Sequence, residues 1–84
     1  VNMNKVLVID DEQIVLDSIR KILPADEYDT TLCSSSRDGL EKALGGDYEV
    51  VLTDIRMPDI GGMKILREIK KSKPGLPVIL VTGY

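Results

Sequence analysis

The chain has 84 residues, enough for one small domain with a modest buried fraction and too few for two. Its composition, 43% hydrophobic and 30% charged, is that of a folded globular chain and excludes disorder. A formal charge of −3 with acids and bases interleaved leaves no electrostatic footprint for nucleic acid or an anionic membrane, and the absence of histidine excludes Ser-His and Cys-His nucleophiles and the usual zinc sites.

Taken in order, Lys5 to Ile9 (KVLVI) is an apolar run with nothing polar after Lys5, which predicts a parallel strand covered on both faces. From Asp11 to Leu23 the period changes to that of a helix, with Ile14, Val15, Ile19, Ile22 and Leu23 on one stripe. Asp10 or Asp11, followed by Glu12, puts negative charge at its N-terminus, and Pro24 stops it. Tyr28 to Cys33 alternates weakly and is expected at a sheet edge, with Cys33 as a small buried hydrophobe. Ser34 to Ser36 offer N-caps for a short helix, Arg37 to Leu44, and Gly45-Gly46 closes it as a C-cap.

Within Asp47 to Asp54 lies a third strand, VVLTD, followed by the loop Ile55 to Gly61 with its Pro and Gly. Gly62 to Lys73 is a helix whose apolar residues are Met63, Leu66 and Ile69 beside Ile65, while Lys64, Arg67 and Lys71 form a solvated face. Pro74-Gly75 ends it, and Pro77 to Thr82 (PVILVT) is a fourth strand. The alternation of strand and helix predicts an α/β fold with a parallel sheet and right-handed crossovers. The apolar runs are too short to span a membrane and no signal peptide precedes the first strand. With a single cysteine, the chain is expected in the cytoplasm.

Two of these strands end in acids. Strand one runs into Asp10-Asp11-Glu12 and strand three ends at Asp54. In an open α/β sheet ligands bind outside the carboxyl ends of the strands, so adjacent parallel strands would gather these carboxylates at one mouth. Like charges that close repel and raise one another's pKa, and the cluster is comfortable only with a cation among them. Each acid alone could equally punctuate a strand or cap a turn.

Asp10-Asp11, Asp54, Met57-Pro58 with Gly62, and Thr82 stand in order at the ends of successive strands, and this set resembles the receiver domain of two-component response regulators across the whole chain. The resemblance implies a flavodoxin-like three-layer sandwich with strand order 2-1-3-4. It implies that Asp54 is a phosphoacceptor, attacking a phosphohistidine on a partner sensor histidine kinase. Mg²⁺ would be held by Asp11 and Asp54 directly, by Asp10 through water and by the backbone carbonyl of Arg56. Thr82 would donate its hydroxyl to the phosphoryl group and so switch an output segment, with transcription regulation one such output. Pro58 would hold Met57 extended, and Gly62 would permit either a positive φ or a close approach.

A complete receiver has about five strands and five helices. By that standard residues 1–84 make one incomplete receiver domain, lacking the fifth strand with its lysine, the last two helices and the output domain. Strand four is then an apolar edge, which predicts either an excerpt of a longer protein or a homodimer that covers the gap. Two other functions compete: a non-switching interaction module that keeps the fold, and a Mg²⁺-dependent phosphohydrolase with an aspartyl nucleophile. The adjacent Asp10-Asp11 departs from the Asp-x-Asp pattern of phosphatases of the haloacid dehalogenase type.

Overall fold

The computed structural model describes residues 4–81. Seven elements alternate along the chain: β1 (Asn4–Ile9), α1 (Gln13–Ile22), β2 (Tyr28–Cys33), α2 (Ser36–Gly45), β3 (Val50–Asp54), α3 (Gly62–Ser72) and β4 (Val78–Val81). All strand pairs are parallel and the sheet order is β2-β1-β3-β4, as the flavodoxin-like expectation required. Central β1 is buried from Val6 through Ile9, which explains why its sequence is a continuous apolar run without alternation.

Side chains alternate across the sheet and sort into two cores. On one face Leu7, Ile9 and Val51 pack with Ala43 of α2 and with Ile65 and Ile69 of α3. On the other, Val6 and Val8 pack with Leu16 of α1, supported by Ile19 and Leu23. Gly39 lets α2 lie close on β1, because a Cβ there would stand 2.6 Å from Ile9 Cγ1 and Cδ1. That seat fixes where the N-terminus of α2 points.

The helices depart from the sequence expectation in their buried faces. On α1 the expected stripe included Ile14 and Ile22, yet these are 78% and 72% exposed, and Leu16 is the buried residue. A single helix on a four-stranded sheet touches it along a narrow line, so apolar residues at the margins of the stripe stay in solvent. The helix also starts at Gln13 rather than Asp11: its first turn has no acid, and Glu12 at the N-cap makes no side-chain capping bond. On α3, Ile65 and Ile69 are fully buried and Met63 is half exposed. Lys64, Arg67 and Lys71 are exposed, as expected of a solvated face.

Ser35 is the N-cap of α2 and its hydroxyl accepts from the Asp38 amide at 3.3 Å. Gly46 is the C-cap of that helix, in an extended conformation rather than the left-handed one typical of a C-terminal glycine. Strand β4 lies at the edge with Ile79 51% exposed on the α1 side of the sheet, where the sequence predicted an uncovered apolar edge. No described helix is long and apolar enough to cross a membrane.

Candidate functional site

The site is built by register. In the β1–β3 ladder Ile9 lies opposite Thr53, so the residues that follow, Asp10 and Asp54, leave the same end of the sheet side by side. Their parity is that of Val8 and Leu52, which directs both toward the α1 side. Asp10 is still tied to the sheet, its amide donating to the Cys33 carbonyl at 3.0 Å. The chain then turns sharply: Asp10 Oδ1 accepts the Glu12 amide at 2.9 Å, an Asx turn.

This turn decides which acids converge. Carboxylate oxygens of Asp10, Glu12 and Asp54 all lie within 4.8 Å of one another. Asp11, at the apex of the turn, is exposed and is not one of the three. Glu12 stands at the N-cap of α1, where the sequence reading placed it, and its carboxylate also comes back beside Asp10. An Asp two residues before a Glu at a strand end was the available signal, since an Asx turn brings residue i+2 back over residue i.

Asp10 is 4% exposed, and its carboxyl is pushed above the usual range, chiefly by burial. The charges of Asp54, Asp11 and Glu12 push the same way, against the Glu12 amide, which favours the ionised form. Asp54 is half-buried and its Oδ1 accepts the Ile55 amide at 2.8 Å, so the first peptide of the following loop orients it. The loop returns through Gly62, whose amide donates to the Ile55 carbonyl at 2.9 Å. The choice left open for Gly62 resolves as close approach, since no glycine among the described residues has a positive φ. A Cβ there would collide with the Asp54 carbonyl oxygen and stand 2.9 Å from Ile55 Cα.

Met57 and Ile60 of the loop pack against the α2–α3 core, while Arg56 is exposed two residues beyond Asp54. Thr82, expected to donate a hydroxyl here, lies outside the described residues. Cys33 is buried and its thiol is pushed up by burial, with the Lys42 charge acting the other way, so it offers no competing nucleophile. The donor set is three hard carboxylates with no histidine in the chain, which fits a hard divalent cation such as Mg²⁺ that keeps part of its water.

A parallel flavodoxin-like sheet with an acidic cluster at the carboxyl ends of two neighbouring central strands defines an α/β domain whose pocket is compatible with a hard cation. Comparison with known proteins names the class: the response regulator receiver domain matches residues 6–84, and the chain belongs to that family. Receiver domains are the regulatory modules of two-component phosphorelay signalling.

Response regulator ArlR of Staphylococcus saprophyticus is 35% identical over 96% of this chain and 36% of its own length. Transcriptional regulatory protein CusR of Escherichia coli K12 is 30% identical over 94% of this chain and 35% of its own length. The chain thus spans about a third of the length of these curated relatives. Response regulator TrrA of Thermotoga maritima, solved with Mg²⁺-BeF, is 33% identical with a TM-score of 0.90, covering 98% of this chain and 71% of TrrA. TrrA has also been solved in complex with the histidine kinase ThkA, and superposes there with a TM-score of 0.88.

Proposed function

We propose that the chain is a phosphoacceptor: Asp54 takes a phosphoryl group from a partner histidine kinase, and the acquired charge switches an attached output segment. The convergence of Asp10, Glu12 and Asp54 at the ends of adjacent strands carries this reading. In the transfer an Asp54 carboxylate oxygen forms the new P–O bond while the P–N bond of the phosphohistidine breaks. The bonding pair goes to the imidazole nitrogen, and the ring takes up a proton. The Ile55 amide orients the nucleophile, and the buried position of Asp10 limits water around it.

The acidic turn Asp10 to Glu12 and Asp54 would hold Mg²⁺, with Asp11 at the rim and the Arg56 backbone carbonyl adding an oxygen. When bound, the ion supplies positive charge that offsets the crowded carboxylates and the phosphoryl oxygens. Thr82 would donate its hydroxyl to the phosphoryl group. TrrA, solved both with Mg²⁺-BeF and with a histidine kinase, supports the choice of ion and donor by family likeness. CusR supports transcription regulation as the output.

The test is direct. The protein is incubated with Mg²⁺ and acetyl phosphate and its intact mass measured. One phosphoryl group is expected on the wild type, lost on chelation of the metal and in Asp54→Asn. Failure of the wild type to gain it, with the fold intact, overturns the reading.

A further inference from the structure

The loop after Asp54 is held from two directions. Its local bonds are Ile55 to the Asp54 carboxylate and Gly62 to the Ile55 carbonyl. Its distant bonds reach the first turn of α2. The Ile60 amide donates to Ser36 Oγ at 2.9 Å, across a sequence separation of 24 residues. Arg37 grips Asp59 with two bonds, Nε to Oδ2 and Nη2 to Oδ1, each 3.1 Å. Ser36 is 4% exposed, whereas the side chains of Arg37 and Asp59 are 64% and 51% exposed.

An exposed ion pair adds little to global stability and is screened by salt, so the two-bonded Arg37 fork acts on local order. The segment it orders is the one whose first peptide orients Asp54. We infer that Ser36 and Arg37 are positioning residues for the phosphoacceptor: they tether the far half of the loop, at Asp59 and Ile60. That tether restricts the near half, Ile55 to Met57, to the arrangement in which the Ile55 amide holds Asp54. This rests on Asp54 being the phosphoacceptor.

Releasing the tether lets the loop populate other arrangements, and the phosphorylation rate falls with the fraction of chains left competent. Met57 and Ile60 still anchor the loop in the core, so the loss is partial. Because the clamp includes a solvent-exposed ion pair, the wild-type rate depends on ionic strength through it. An exposed arginine on α2 thereby becomes a control on chemistry at the end of β3.

The experiment measures the rate of phosphorylation by acetyl phosphate and Mg²⁺ at low and high salt. It compares wild type, Arg37→Ala, Asp59→Asn, the double variant and the exchanged pair Arg37→Asp/Asp59→Arg. Amide hydrogen exchange at Ile60 and Gly62 is followed in metal-free protein. Each single variant is expected to slow roughly three- to tenfold at low salt and to be less sensitive to salt than the wild type. The double variant should be no slower than either single, and the exchanged pair should recover most of the rate. Ile60 exchange should accelerate in Arg37→Ala while the thermal midpoint barely moves. A wild type that is phosphorylated beside an equally fast Arg37→Ala, or unchanged Ile60 exchange in that variant, overturns the inference alone. A wild type that takes no phosphoryl group overturns the functional reading and the inference with it.

Discussion

Gly62 lies against the backbone of Asp54 so closely that a Cβ would collide with the Asp54 carbonyl oxygen and stand 3.0 Å from its carbon. The atoms in the way are main chain at a strand end, which cannot rotate aside as a side chain could. Gly62→Ala is therefore expected to cost about 1–3 kcal/mol through overpacking. It should also displace Asp54 from its place beside Asp10. Chemical denaturation checks the stability, and the rate of acetyl phosphate labelling checks the displacement. A variant as stable and as fast as wild type would show that the loop relaxes freely.

Burial within the helices separates residues that the sequence pattern treats alike. Ile65 is fully buried between the sheet and α2, and Ile65→Ala should cost about 2–5 kcal/mol, a large share of the stability of a domain this small. Ile14→Ala, at a residue 78% exposed, should change stability by about 0.5 kcal/mol or less. Urea titrations of the two variants make the comparison; equal losses would mean that α1 packs differently from its described position.

The strands were legible because burial on both faces writes itself as an unbroken apolar run, as in Val6 to Ile9, and because each run stops at an acid or a turn residue. The order of the sheet came with the family resemblance, and the meeting of Asp10 with Asp54 was expected from two apolar strands that both end in acids. The faces of α1 were less legible, since periodicity fixes which residues share a stripe but not how wide a stripe the neighbouring layer can cover. That the Glu12 carboxylate lies beside those of Asp10 and Asp54 depends on a two-residue turn whose hydrogen bond from Glu12 to Asp10 has no periodic signature. The clamp from Arg37 to Asp59 joins residues 22 apart with no pattern between them, so only the packed fold reveals it.

Strand β4 presents Ile79, 51% exposed, on the α1 side of the sheet, at an edge that α1 does not cover. Edge strands with exposed apolar residues favour association. The isolated 84-residue chain is expected to self-associate as concentration rises, and Ile79→Lys to weaken that association while leaving the fold intact. Sedimentation across a concentration series, with far-ultraviolet circular dichroism as the control, reads both. Identical behaviour of the two chains would place any association elsewhere.

Asp10 ties stability to pH and to metal. Its carboxyl is pushed above the ordinary carboxylate range, first by burial and then by Asp54, Asp11 and Glu12, so the folded state holds a proton that the unfolded chain releases more readily. Between the unfolded and folded pKa values the native state binds more protons, which makes the slope of stability with pH negative. This contribution is present in full at the acid side of the window and is lost as pH rises through the folded pKa. At neutral pH without metal the ionised, crowded Asp10 is therefore a net cost. Asp10→Asn should raise the melting temperature of the metal-free protein at pH 7 and flatten its dependence on pH just above the ordinary carboxylate range. Mg²⁺ should stabilise the wild type and do little for Asp10→Asn, because the charge that destabilises the empty pocket is the charge that attracts the ion. Melting curves with Mg²⁺ or EDTA at a series of pH values test the pair of effects. A lower melting temperature for Asp10→Asn in EDTA would mean that the bond from Asp10 to the Glu12 amide outweighs the charge crowding.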